Sequence, residues 1–459
     1  MERENEVRED SDVVLETRTR EEIESAYAEG ERNFQSLNLQ RVDLARLDLR
    51  EADFSGSDLR RATLFETNLE GANLNDVNLE GSFLAKTHLS NATLRRANLT
   101  RVNLEGATWN EVDLKHSNLT AARCKGSKWF NCSVRNSRFN EADFTNAKVD
   151  HCRFYGSSFK QATLNQAVFS RCKMQDAVFT GADMIEIQLA KADLHNAEMP
   201  HANLEGANLS EANLENAVLR SAKISKANLA KATMVRVQCS DAQLGQAELA
   251  GANLARSDLQ RVSLKKANLS GADLTSSNLQ FADLSSANLE GATLDGADLT
   301  SADIHHSRVD KSTTFYATKT ISLDFAGNWS LKTRVSECAH DLVIENFRRN
   351  QPTLGFFWWL LFGCGKRNYL LLFWGAILVV FFAGLMAVSP GSFNFGITDP
   401  SFLDHLRNSL GVFVTLDFVL DKGVTSYGRY VLLSEMLSSY LMLGFIASLF
   451  SSIFPQKPQ

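Results

Sequence analysis

The chain has 459 residues, 44% of them hydrophobic and 22% charged, with a formal net charge of −6. That length accommodates two or three domains, and the apolar content is ordinary for a folded protein, which excludes disorder as the default. The average conceals a contrast, because the chain is polar and repetitive up to about residue 310 and strongly apolar after Pro352. Seven cysteines (Cys124, Cys132, Cys152, Cys172, Cys239, Cys338 and Cys364) form no CxxC pair and no zinc-like cluster with histidine, so they are read as reduced thiols with no metal and no cofactor.

The first segment, Met1 to Asn33, carries 12 acidic and 5 basic residues and lacks an apolar stretch, so it is not a secretory signal and is expected to stay in the cytoplasm. Residues 1–33 are taken as an acidic N-terminal cap, with Ser11 to Asn33 predicted as a helix covering the start of the segment after it.

From Phe34 to Val309, stepping by five gives 56 positions, all apolar when Cys124 and Cys239 are included. A small residue stands two places before most of them, as in Ala72-Asn73-Leu74, Ala202-Asn203-Leu204 and Ala252-Asn253-Leu254. A period of five fits neither a helix nor a strand, so a chain that buries every fifth residue must turn once per repeat. A four-sided coil satisfies this, with the small and large residues inside and Asn or Asp suited to the turns. Gly71, Gly106, Gly206 and Gly271 fall at the turn positions.

This A-(N/D)-L-x-x grammar resembles the pentapeptide-repeat family. The resemblance implies a right-handed quadrilateral β-helix over residues 34–313, of 14 coils at four repeats per coil. At the spacing of stacked strands the rod would be on the order of 67 Å long. Positions 20 apart should stack, which makes internal ladders of Cys132, Cys152 and Cys172 and of Phe139, Phe159 and Phe179. Some relatives mimic DNA, but mimicry needs a strongly acidic surface, and this stretch holds 31 Lys/Arg against 32 Asp/Glu. Ala121 to Gln175 even leans basic, which reads either as a solvated face or as a docking patch for an acidic partner or nucleic acid, the nucleic acid being the less expected of the two partners. Thr314 breaks the phase, and residues 314–352 are taken as a C-terminal cap and connector helix, with Val335, Ala339, Leu342, Val343 and Phe347 at helical spacing.

Residues 353–459 read as a membrane domain. Tyr369 to Val388 is a run of 20 residues without a charge, the length that crosses a bilayer, and Tyr430 to Phe454 is a second candidate with only Glu435 charged. Thr353 to Cys364 is too short to span and aromatic enough to lie in the interface. Arg348, Arg349, Lys366 and Arg367 before the first span place the rod and both termini inside.

Between the spans, residues 401–420 fit a re-entrant helix and loop. Phe402-Leu403-Asp404, Ser409-Leu410 and Thr415, followed by Gly428-Arg429, Glu435 and Gly444, resemble the two-helix pore domain of tetrameric cation channels. No T-V-G-Y-G follows Thr415, so potassium selectivity is not expected. Thr415-Leu416-Asp417 is similar to the filters of bacterial sodium and calcium channels, and a fourfold axis would make a carboxylate ring of Asp417, with Asp421 as an outer ring. Ser434, Ser438, Leu441, Phe445, Ser448 and Ser452 fall on one helical face, either lining a pore with Gly444 as hinge or mediating helix packing.

No constellation for catalysis is evident, so an enzyme is not expected. The resemblances together imply a homotetrameric cation channel of a bacterial inner membrane, in contact with the lipid bilayer and a permeant cation, its cytoplasmic rod open to a protein partner. The alternative is a non-conducting, membrane-anchored scaffold, and a soluble topoisomerase-binding mimic ranks third.

Overall fold

A backbone that hides one large and one small residue in every five must run extended through that pair and then change direction. The computed structural model, which describes residues 15–323, 325, 328–350, 369–388, 402–415, 431 and 434, does this at every repeat. The chain divides into two units, Met1–Ala339 and His340–Gln459.

In the first unit the chain winds as a quadrilateral β-helix. Parallel bridges join Asn33 to Asp53, Asn38 to Asp58, Asp43 to Thr63 and Asp48 to Asn68, one on each of four faces, and the 20-residue step recurs as far as Asn288 and Arg308. Ala202 and Leu204, like Ala207 and Leu209, are no more than 1% exposed, so both members of each pair form the core. The backbone is satisfied along the rod. Leu74 N–H donates to Thr93 O on the next coil (2.7 Å), Asn73 N–H to Ala52 O on the previous one (2.9 Å), and Ala72 N–H closes the turn on Leu69 O (3.1 Å).

The Asn or Asp expected at the turns stands on the flat face instead and reaches into the corner with its side chain. Asp53 Oδ1 accepts Ser55 N–H and Asp143 Oδ1 accepts Thr145 N–H, each at 2.9 Å. The corner itself makes a demand that the repeat grammar does not display. Every fifth residue from Ser36 to His306 has φ between 52° and 71°, in the left-handed region. Gly71 and Gly271 suit it without steric cost, but most corners carry Arg, Lys, Glu, Asn or Ser and accept about 1 kcal/mol each.

Both predicted ladders are present. Phe139, Phe159 and Phe179 stack face to face with centroids 4.8 and 4.9 Å apart, the spacing of neighbouring strands. Cys132 N–H donates to Cys152 Sγ at 3.3 Å, and Cys172 Sγ lies 3.6 Å from Val149 O. Interior hydroxyls do the same: Ser137 Oγ donates to Leu114 O (2.6 Å) and Ser117 N–H donates to Ser137 Oγ (3.3 Å). On one face three bridges lengthen into strands β3 (Thr108–Asn110), β4 (Lys128–Phe130) and β5 (Lys148–Asp150), in register at Trp109, Trp129 and Val149.

Both ends of the rod are covered. β1 (Glu16–Thr17) pairs in parallel with β2 (Leu37–Asn38) and closes the first open edge. Thr19 then starts α1 (Arg20–Ala28) with a capping box to Glu22. The helix is therefore shorter than the one expected from Ser11, because residues 16–17 are used as an edge strand. Ile23 is fully buried, and Arg20 and Tyr27 donate to the carbonyls of Asp43, Ala45 and Arg50. At the other end the phase break at Thr314 is a one-residue insertion, since Thr293 pairs with Thr314 and Asp298 with Lys319 at a step of 21. Asp310 holds the longer corner by accepting the N–H groups of Ser312 and Thr313. Asn328 caps α2 (Trp329–Asn350) by accepting Leu331 N–H and donates to Ile304 O and Ser307 O. Leu331 and Cys338 of α2 are buried against the last coil.

The second unit contains α3 (Tyr369–Val388) and α4 (Phe402–Thr415). α3 occupies the residues of the first predicted span, and α4 lies inside the predicted re-entrant segment 401–420. The two pack together, with Ser409 Oγ donating to Val379 O (2.9 Å) and with His405, Ser409 and Ala383 buried. Among the described residues no helix is long and apolar enough to cross a membrane. The side chains described in α3 are those of residues 376–385, 387 and 388, fewer than a span requires. The predicted interfacial segment 353–364, and the second span 430–454 apart from Val431 and Ser434, lie outside the described residues.

Candidate interaction surface

The predicted filter begins where α4 ends, at Thr415. Leu416, Asp417 and Asp421 lie outside the described residues, as do Ser438, Leu441, Gly444, Phe445, Ser448 and Ser452. Ser434 is described, and its Oγ donates to Val431 O at 2.8 Å. Among the described residues no group of His, Cys, Asp or Glu is placed to hold a metal ion. The rod cysteines have the environment of core thiols. Burial pushes Cys124 and Cys152 up, and Cys172 and Cys239 up to about 12, which keeps them protonated and weakly nucleophilic.

The surface of the solenoid is more informative. At several corners, charges 20 or 21 apart pair across adjacent coils: Arg96 with Asp76 (2.6 Å), Arg261 with Asp241 (2.6 Å), Lys226 with Glu205 (2.9 Å). The basic stretch picked out between Ala121 and Gln175 departs from this pattern. Lys128 stands in register with Lys148, and Arg153 with Lys173, on adjoining faces. Among the described residues these are the two pairs of cations that face each other across a bridge, and none of the four makes an ion pair; cations 20 apart also occur at corners, as at Arg41 and Arg61 or Arg236 and Arg256. All four are exposed. At the far corner of the Arg153 face Arg135 stacks on Tyr155, its guanidinium 4.8 Å from the ring centroid.

Beside Lys128 and Lys148, a groove of about 480 Å³ opens over β3, β4 and β5. The strand segments around Trp109, Trp129 and Val149, whose side chains are buried on the axis, form its floor; Lys128, Lys148 and Asp150 line it, and Phe130, 46% exposed, stands on its rim with Arg171. Trp129 Nε1 donates to Ser127 Oγ (2.7 Å). Trp109 Nε1 and Asn110 Oδ1, buried atoms of β3, have no hydrogen-bond partner among the described residues. A second concavity, of about 460 Å³, holds Lys223, Lys226, Lys265 and Lys266, where Glu205 partly balances the charge. Composition alone revealed the basic stretch. Its arrangement emerges only once residues 20 apart are laid side by side.

Two family profiles match the rod. The "Pentapeptide repeat region" matches residues 122–199 and 192–269, and "Pentapeptide repeats (8 copies)" matches residues 33–64, 72–108, 97–128 and 277–313; together they cover more than half of the chain. Solved structures with the same repeat include a pentapeptide repeat protein involved in heterocyst differentiation regulation from Nostoc (26% identity, 65% of this chain and 97% of that chain, TM-score 0.15). Another is a pentapeptide repeat protein from Cyanothece (31% identity, 26% and 90%, TM-score 0.17). A third is from the Arabidopsis thaliana thylakoid lumen (21% identity, 26% and 78%, TM-score 0.19). No curated protein matches the chain.

Proposed function

The chain belongs to the pentapeptide-repeat family, and from that premise we propose that its solenoid is a non-enzymatic interaction rod carried by a membrane-inserted C-terminal unit, which conducts cations as a homotetramer. The observation that carries the membrane part is the pairing of α3 with α4. α3 is 20 residues without a charge, about 30 Å at the helical rise, which matches the hydrocarbon thickness. The shorter α4 packs on it through Ser409 and Val379. Ile377, Val380 and Phe381 of α3 and Leu403 and Leu410 of α4 turn apolar side chains outward, as lipid or neighbouring subunits would require. α4 ends at Thr415, and Leu416-Asp417 come next in the sequence, so four copies around an axis would gather four carboxylates where cations enter. Arg348, Arg349, Lys366 and Arg367 beside α3 favour a cytoplasmic rod in a bacterial inner membrane.

The test is reconstitution of the full chain in liposomes, with reversal potentials recorded under sodium, calcium and chloride gradients. Asp417→Asn should lower divalent affinity and the cation-over-anion preference without loss of assembly, whereas Asp399→Asn should change neither. A monomeric mass in detergent together with silent liposomes transfers the assignment to the membrane-anchored scaffold, in which the same rod binds partners and α3 is only an anchor.

A further inference from the structure

We propose that the groove over β4 and β5, with the two cation pairs beside it, is a docking surface for a short acidic peptide segment that carries an apolar side chain. The inference concerns the rod alone and does not depend on conduction. Its first support is electrostatic. Like charges set directly opposite each other in neighbouring strands repel and destabilise the sheet. Elsewhere a cation at this bridged position faces an acid or a neutral residue, as Arg123 faces Asp143 and Lys223 faces Gln243. Here Lys128 faces Lys148 and Arg153 faces Lys173, with no acid among the described residues in ion-pair range of any of the four. A carboxylate-bearing partner relieves that repulsion, so the charge pattern is complete only when it is bound.

The second support is the groove itself. Phe130 offers nearly half its surface at the rim, beside the exposed ammonium groups of Lys128 and Lys148. An apolar side chain of the peptide covers Phe130 while its carboxylates meet the lysines.

The extent of the charge selects a peptide over a nucleic acid. On one face the cations are bounded by Thr108 and Val168, and on the other Arg153 and Lys173 lie between Ser133 and Asp193. Each row spans two coils, about 5 Å apart. A nucleic acid draws its affinity from many phosphate contacts along a continuous track, and such a track would run onto Asp193.

The experiment measures fluorescence anisotropy of a labelled peptide of glutamates flanking a central phenylalanine, titrated with the full chain. A peptide with alanine in place of phenylalanine and a thymidine oligonucleotide of equal charge form the comparison arms. The phenylalanine peptide should bind at least tenfold tighter than either. Lys128→Gln combined with Lys148→Gln should weaken it at least tenfold while leaving the melting temperature unchanged or raised, because that substitution removes a repulsion. Phe130→Ala should weaken the phenylalanine peptide and leave the alanine peptide unchanged. Lys223→Gln with Lys265→Gln, in the other basic concavity, should have no effect. Unaltered affinity in the Lys128/Lys148 variant, or equal or tighter capture of the oligonucleotide, overturns the proposal.

Discussion

The coils from Trp109 to Phe179 and those from Leu204 to Leu299 share one backbone path and fill it differently. The later coils repeat leucine over alanine, broken at the large position only by Ile224, Met234 and Cys239. The earlier ones place two tryptophans and six phenylalanines on the axis, stacked where they lie 20 apart and edge-to-face where they lie on neighbouring faces. Their small positions change as well, to Ser117, Ser127, Ser137 and Ser157 and to Cys132, Cys152 and Cys172. The two changes belong together. At Ser137 and Cys132 the backbone N–H is bonded to Ser157 Oγ and Cys152 Sγ on the next coil, in place of the turn carbonyl used at Ala72 or Ala142. At these two corners a side chain takes over from the backbone, whereas Ser127, Ser157 and Cys172 in the same coils keep the turn bond to the carbonyl. The bulkier axis also accompanies the three longer strands and the groove, so the outer surface acquires an aromatic, cation-rich region where the inner packing changes.

The largest effect tests what the two regions share. Leu204→Asp puts a carboxylate on a dry axis between leucine, isoleucine and methionine neighbours, and more than about 4 kcal/mol should be lost, read as the collapse of a cooperative thermal transition. Glu205→Lys, next in the chain, breaks only the exposed pair with Lys226 and should change stability by less than about 1 kcal/mol. Equal melting temperatures for these two variants would refute the assignment of inside and outside in both regions.

A smaller effect tests what separates them. Phe159→Leu removes a ring held between Phe139 and Phe179 and should cost about 1–2 kcal/mol. The reverse exchange, Leu264→Phe, inserts a ring into coils packed for leucine and should cost about 1–3 kcal/mol. Urea midpoints measure both. If neither moves, the axis is wide everywhere and the contrast is one of composition only.

The smallest effect is electrostatic. Burial works against ionised Asp298, but hydrogen bonds from Thr300 and Gln280 outweigh it and hold the carboxyl down to about 2. A carboxyl depressed in the folded state adds stability that is complete above its unfolded value of about 3.9 and is lost as pH falls through about 2. The melting temperature should therefore drop over that window, and Asp298→Asn should flatten the drop slightly. An identical acid limb in both proteins would show that the Asp298 bonds contribute nothing.

The period of five was readable because burial is a property of residue type, and Leu74, Leu204 and Leu254 announce the axis directly. The Cys and Phe ladders came out of arithmetic alone. The left-handed corners were not readable, because Arg61, Lys226 and Phe281 occupy them as readily as glycine does and no side chain declares its φ. The only signals were glycines such as Gly71 and Gly106. The end caps depend on single polar contacts. Thr19 with Glu22 has the spacing of a capping box, whereas Asn328 is revealed only by the carbonyls of Ile304 and Ser307, which are distant in sequence. The docking surface needed the coil as a ruler: Lys128 and Lys148 are two members of a basic stretch in a linear reading and neighbours in a wound one.

That ruler governs how such a chain can lengthen. A duplication of 20 residues inserts one whole coil, so every downstream side chain keeps its compass bearing and the cap at Asn328 meets the same last turn. A duplication of five preserves the core but swings everything beyond it by a quarter turn, moving Lys148 off the bearing of Lys128. A single added residue is harmless only at a corner that can absorb it, which is where the chain has one, at Asp310 to Thr313. The rod grows in quanta, and its surface pattern survives only in multiples of four repeats.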